Sequence, residues 1–340
     1  MLNTLRKMQL QKLLALGALI LLYVFFTFFG REFTSMPTTL AILSRSYFVG
    51  FLAIGVTFVI ITGGIDLSIG TVMMCSAVIG GLLFSRHDVP LLVCLLVMVL
   101  VGTAFGTINA LLVTKLRLPP FIATLGVMMV STGLGSIITN VQTQTFPLPL
   151  GDNPNAWFAR VFIRNGDIPM GVLFLAGYLI ITLIILKKTK LGRYTYAIGS
   201  NEEAVRLSGV HASNWKMIPY IISGFSAGLA SIFFAAAYFV MTPGTGQGFE
   251  LDAIAATVIG GTSLSGGIGS VTGTIIGVFI MSVLAVGLVS MGFAAPYQVF
   301  LAGVVVIGAV YLDIQRTAKA NQVKKKRKKR QPQNKGGNLK

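Results

Sequence analysis

Few residues in this chain can do chemistry, and most of them stand beside glycines in otherwise apolar sequence. Ile61-Thr62-Gly63-Gly64-Ile65-Asp66-Leu67-Ser68-Ile69-Gly70 sets a carboxylate and a hydroxyl just after a Gly-Gly pair that can stop a helix. Asp66 and Ser68 then fall at or near the next helix start, where a carboxylate caps the chain and suits the dipole. The alternative is that they line a water-filled path, since a carboxylate at membrane depth costs roughly 2.5–3.5 kcal/mol. A second group is Thr242-Pro243-Gly244-Thr245-Gly246-Gln247-Gly248-Phe249-Glu250-Leu251-Asp252. Glu250 and Asp252 can cap a following helix, or accept hydroxyl groups as a pair. With Thr245, Gln247 and Phe249 they make the acid, amide and aromatic set that suits a sugar. A third stretch, 259–270, has nine glycine or hydroxylic residues in twelve, and close helix packing is its simpler explanation.

The polar segment 192–209 has more local order than the others. Ser200 and Glu203 have the S-x-x-E spacing of a capping box, with Asn201 and Glu202 between them. Glu202 and Arg206 stand four apart in the favourable order, and Gly209 can end the helix. A helix of about eight residues cannot hold itself together in water. It must dock, either on its own bundle or, the reading preferred here, in a groove on a partner protein.

The elements that must position these groups follow from hydropathy. Of 340 residues 54% are hydrophobic and only 11% charged, with a mean hydropathy of +0.81. A soluble domain carries roughly 25% charged residues, so this chain cannot cover a water-facing surface. Apolar stretches fall at 13–29, 40–61, 69–84, 91–113, 120–138, 170–186, 217–240, 253–264, 273–289 and 294–311. They predict an all-α membrane protein of about ten transmembrane helices, with helix breaks near 62–68 and 242–252. The third and eighth stretches are short for full spans, which suggests re-entrant or broken helices there.

The long connection 139–169 is expected to fold over the outer face, with Trp157 and Phe158 at the membrane interface. An internal repeat is open in two forms. Residues 62–70 align with 259–267 as a parallel repeat, while Asp66-Leu67 and 77–81 resemble Glu250-Leu251 and 257–261 as an inverted one.

The net charge of +17 is one of topology rather than of nucleic-acid binding, because the basic residues lie in the gaps and at the end. Eleven of the 27 follow position 315. With both termini in the cytoplasm, eleven others fall inside and only Arg31, Arg45, Arg86, Arg160 and Arg164 outside. The expected organisation is a cytoplasmic N-terminus at 1–12, a membrane domain at 13–313 with a cytoplasmic loop at 187–215, and a basic disordered tail at 314–340. The first apolar stretch reads as a retained anchor, because no small-residue cleavage pattern follows it.

Catalysis has no obvious seat. Cys75 and Cys94 lie in apolar stretches, and His87 and His211 have no second ligand at useful spacing. There is no G-x-x-x-x-G-K-[ST] loop, nucleophile motif or dinucleotide fingerprint. Neither an enzyme role nor a bound cofactor or metal is expected, and an ATP-driven pump would borrow its motor.

Four motifs then carry a resemblance: Gly64-Ile-Asp-Leu-Ser-Ile-Gly70, Leu118-Pro-Pro-Phe-Ile-Ala-Thr-Leu-Gly126, Gly192-Arg-Tyr-Thr-Tyr-Ala-Ile-Gly-Ser-Asn201, and Leu251-Asp-Ala-Ile-Ala-Ala256 through Gly260-Gly-Thr-Ser-Leu-Ser-Gly-Gly267. In that order the chain resembles permease subunits of bacterial ribose, xylose and galactose-type ABC importers, over about residues 40 to 312. The resemblance implies an inner-membrane protein that works with a cytoplasmic ATPase carrying ATP-Mg, an extracytoplasmic sugar-binding protein and a second permease copy or paralogue. It implies that Gly199, Ser200, Asn201, Glu202, Glu203, Val205, Arg206, Leu207 and Gly209 lie in the loop touching the ATPase. Sugar would enter near Thr245 to Asp252, with Asp66 and Ser68 on its way. The rivals are a branched-chain amino-acid permease of the same kind and an ion-coupled sugar carrier.

Overall fold

A computed structural model describes residues 2–149, 153–166, 168–294, 296–308, 310–311 and 315. The basic tail expected at 314–340 therefore lies, apart from residue 315, outside the described residues. The helices are α1 (Leu2–Phe29), α2 (Met36–Ile61), α3 (Ile69–His87), α4 (Leu91–Thr114), α5 (Pro120–Ile138), α6 (Trp157–Phe162), α7 (Met170–Lys188), α8 (Lys190–Leu207), α9 (Ala212–Tyr238), α10 (Phe249–Ile259) and α11 (Val271–Ser290). A further apolar helix covers Pro296–Gly308. Among the described residues eight helices are long and apolar enough to cross a membrane, from α1 to α5 and then α7, α9 and α11. The two remaining apolar stretches form the shorter helices, so all ten are helical in the order expected. Of the two stretches read as short, α10 has 11 residues, but α3 has 19 and is of full length.

Helix α2 is the hub. Ser35 caps its start, accepting from the Thr38 amide at 3.4 Å, and every residue from Ser46 to Ile61 is buried. A single helix enclosed on all sides reads as uniformly apolar, as this one does. It ends abruptly at Gly63, whose φ of +78° lets the Gly63 and Gly64 amides turn back onto the carbonyls of Ile60 and Val59. That double bond satisfies the last carbonyls of the helix, and only glycine takes the required conformation without strain. Helices α7, α9, α10 and α11 pack around this hub.

Helices α4 and α9 share the most extensive helix–helix contact among the described residues. Gly102 and Gly106 on one face Gly224 and Gly228 on the other, so that a Cβ at Gly106 would lie 2.8 Å from the Gly224 Cα. Two small-x-x-x-small pairs facing each other let backbones touch, the usual means of association where no hydrophobic drive exists between helices. The opposite faces of α4, α5 and α7 carry Leu96, Leu100, Ile137, Ile180 and Ile184, all more than half exposed. Such a surface fits hydrocarbon, not water.

At one end of the bundle, β1 (Gln144–Thr145) pairs antiparallel with β2 (Val240–Met241). The described residues of the 139–169 segment pack on this end, but their aromatics do not all stay at the interface. Phe146 and Phe158 are buried and stack on each other at 5.6 Å, and Phe158 meets Phe162, which meets Phe233 of α9. Aromatic contact inside the protein outweighs the interfacial preference for Phe158, while Trp157 keeps a half-buried position.

Candidate functional site

Three places hold the residues singled out above, and the structure connects them. The first surrounds Asp66, which is 1% exposed. Its Oδ1 accepts the Ser68 amide at 3.0 Å, the Ser68 hydroxyl at 2.7 Å and the Asn109 amide at 3.3 Å; its Oδ2 accepts the Ser223 hydroxyl at 2.7 Å. Asn109 also donates to the Ser68 oxygen at 2.8 Å. Asp66 therefore acts on more than its own helix. The N-cap of α3 is Ser68, which makes no side-chain capping bond, and the carboxylate ties the 62–68 break to α4 and α9. A buried carboxylate is tolerable when its lone pairs are filled in this way. In this conformation it is sealed by protein.

The second place is the start of α10. Gly248 precedes it with φ +101°, and its amide donates to Glu250 Oε1 at 2.9 Å. Glu250 points toward Gly70 of α3, and its Oε2 is buried without a hydrogen-bond partner. Asp252 lies on another side of the helix and accepts from Arg45 of α2 at 2.5 Å. The two acids thus do not converge as a pair: each meets a different helix. Phe249 packs on Phe48 at 5.3 Å and Phe234 at 5.6 Å, with the Arg45 guanidinium 5.8 Å above its ring. Thr245 and Gln247 are exposed in the loop before it. Thr245 also borders a crevice between α3 and α5 too narrow to admit water, whose lining includes Thr71, Ser131 and Thr132.

Arg45, expected among the outside gap charges, lies within α2 instead. Its stretch is apolar enough to hide one arginine, provided a carboxylate from α10 meets it. Asn109 and Ser223 were also missed. Both sit in apolar helices, and a lone small polar residue there gives no sign of its partner until the helices are assembled.

The third place is α8, which is longer than expected and bent. It runs from Lys190 with a break in helical geometry at Asn201 (φ −166°, ψ 98°). The expected capping box does not form. Asn201 caps the final turns, accepting the Ala204 amide at 3.0 Å, while the Ser200 hydroxyl bonds back to the Tyr196 carbonyl at 2.9 Å. Asparagine is an equally good N-cap, and the bend puts it rather than Ser200 at the start of the last segment. The expected Glu202–Arg206 pair is replaced too: Glu202 meets Lys216 of α9 at 2.8 Å, and Arg206 meets Glu203 at 3.7 Å. Gly209 does follow the helix with φ +81°. Val205 is buried, whereas Glu203, Arg206 and Leu207 are exposed, Leu207 to 81%.

The upper part of α8 docks on both glycine-rich breaks. The Tyr196 hydroxyl donates to the Gly269 carbonyl at 2.8 Å. Gly199 lies against the Ile61 carbonyl and the Gly267 amide, leaving no room for a Cβ, and the Gly267 amide donates to Ile61 O at 2.8 Å. Segments 61–64, 196–200 and 266–269 therefore form one joint. Among the described residues no group of three or more His, Cys, Asp or Glu side chains could hold a metal.

The chain matches a family model described as branched-chain amino acid transport system / permease component over residues 38–310. It is 38% identical to the ribose import permease protein RbsC of Bacillus subtilis, over 91% of this chain and 94% of that one. The fructose import permease protein FrcC of Rhizobium meliloti is 34% identical, over 86% of this chain and 82% of its own length. The autoinducer 2 import system permease protein LsrC of Photorhabdus luminescens is 32% identical, over 89% of both.

Proposed function

We propose, on the premise that this chain belongs to the branched-chain amino acid transport system / permease component family, that it is the membrane gate of an ATP-driven importer for a monosaccharide. The chain is a multi-pass inner-membrane protein and a transporter subunit, not an enzyme. The relatives' names, ribose and fructose import permeases among them, support the sugar class. With Arg45 removed from the loops, basic residues outside the tail divide eleven to four in favour of cytoplasmic termini. That orientation puts α8 inside, and the 139–169 segment and the 242–248 loop outside.

The observation that carries the mechanism is the two-sided character of α8. One part is fastened to the bundle; the other presents Glu203, Arg206 and a fully apolar Leu207 to water. An exposed leucine at the tip of a short helix suits the groove of a cytoplasmic ABC ATPase, where ATP-Mg would be bound and hydrolysed. Alternating access follows. A binding protein delivers sugar near Thr245 and Gln247, ATP closes the motor, α8 moves, and this chain rocks against a second copy or paralogue. Asp66 and Ser68 stand below that entry, sealed at rest.

The test is reconstitution in vesicles. Uptake of labelled monosaccharide should need this protein, its ATPase and its binding protein together. Accumulation by this protein alone under a proton or sodium gradient would replace the reading by an ion-coupled carrier. ATP-dependent uptake of leucine in place of sugar would move the substrate to branched-chain amino acids. Leu207→Ala should lower ATP-driven uptake about tenfold, the loss of one buried anchor worth about 1.4 kcal/mol, without changing the melting temperature of the isolated protein.

A further inference from the structure

We infer that Tyr196 and Gly199 are positioning residues that make the two glycine-rich breaks move as one body with α8. The inference rests on the reading of α8 as the ATPase contact and goes beyond it, from where force is received to where it is delivered.

Three contacts carry it. Tyr196 reaches from α8 to the Gly269 carbonyl, on the loop that joins α10 to α11. Gly199 wedges against the last carbonyl of α2 and the Gly267 amide together. Gly267 in turn donates to Ile61 O, so the two breaks are bonded to each other beneath the helix that covers them. A Cβ at Gly266 would lie 2.8 Å from the Gly199 carbonyl and 2.9 Å from the Gly63 amide, which leaves no slack between the three strands of chain. Contacts of backbone on backbone cannot relax by rotamer change, so displacement of one segment displaces the others.

The destinations matter as much as the joint. Three residues beyond Gly63 the chain reaches Asp66, which grips α4 and α9. On the other side the 260–270 loop continues into α10, whose Thr257 bonds to the Ala53 carbonyl of α2 at 3.2 Å and whose start carries Phe249, Glu250 and Asp252. A push on α8 therefore reaches the Asp66 clamp and the α10 entry at the same moment. One stroke could open one and shut the other, as alternating access requires.

The experiment measures ATP hydrolysed per sugar imported by the reconstituted full complex. Tyr196→Phe keeps the ring and removes only the hydroxyl bond, so it should fold normally. The ratio is expected to rise at least fivefold, with hydrolysis near wild type and uptake reduced. Gly199→Ala should uncouple more strongly, and Leu191→Met, elsewhere on α8, should leave the ratio unchanged. Amide exchange at Gly267 should also quicken in Tyr196→Phe. A purely structural role would lower assembled complex, or lower hydrolysis and uptake together at constant ratio; either result for Tyr196→Phe, or a wild-type ratio in it, overturns the inference. A wild-type complex without ATP-dependent uptake would instead overturn the transport reading itself, so the two failures are distinguishable.

Discussion

The α4–α9 contact and the α10 entry are built from the same small residues but do opposite things with them. Between α4 and α9, glycines sit in unbroken helices and let two backbones touch along Gly102, Gly106, Gly224 and Gly228. At the start of α10, glycines lie outside the helix, and the polar groups there are met both from afar and locally: Asp252 by Arg45 of α2, and the Gly248 amide by Glu250 two residues on. The first arrangement leaves the backbones no room to shift, and its polar neighbours Asn109 and Ser223 are both held by Asp66. The second holds charge in a low-dielectric place, with Asp252 paired to Arg45 and the Glu250 Oε2 left without a hydrogen-bond partner. The two arrangements thus differ in whether glycine falls inside a helix or at its end, and the gate proposed above uses the second.

The comparison breaks first if the α4–α9 wall can yield. Gly224→Leu places a side chain where the Gly106 backbone already stands, so the helices must part along their whole contact. Folded protein should be almost lost from detergent extracts, as judged by size-exclusion chromatography; a variant that elutes and melts like wild type removes the idea of a rigid wall. Arg45→Gln is next. Leaving Asp252 buried without its cation should cost about 3 kcal/mol, read as a lowered midpoint of unfolding. Asp252→Asn in the same chain should restore most of it, and no restoration would mean that Arg45 matters through Phe249 packing rather than through charge. The smallest effect is expected for Asp66→Asn. The amide keeps the shape and one acceptor but offers a donor to the hydroxyls and amides that now donate, a loss of about 1–3 kcal/mol. Uptake should fall with it. Unchanged uptake in a folded Asp66→Asn protein would leave Asp66 as a clamp with no part in the cycle.

Much of this was legible beforehand because hydrocarbon allows few solutions. Ten apolar stretches became ten helices in order, and the Gly63-Gly64 stop appeared where glycine spacing put it, whereas α10 covers Phe249–Ile259 rather than 253–264. The errors have a common origin. Ser200 and Glu203 have the right spacing for a capping box, yet the bend at Asn201 moved the helix start by one residue. Glu202 left its helical neighbour for Lys216 because α9 packs beside it. Phe158 was drawn from the interface into a ring cluster with Phe146 and, through Phe162, with Phe233 of α9.

By itself the sequence determined that the chain is a many-helix membrane protein and where most of the long apolar helices stop. Those follow from solvation of the backbone and from local φ and ψ preferences, which act within a few residues. Only the tertiary structure decided that Asp66 finds Ser223 and Asn109, that Arg45 finds Asp252, and that three separate glycine-rich segments meet at one joint. These pairings join residues from 43 to 207 positions apart, and their free energy appears only once the helices have packed and water has been excluded from between them.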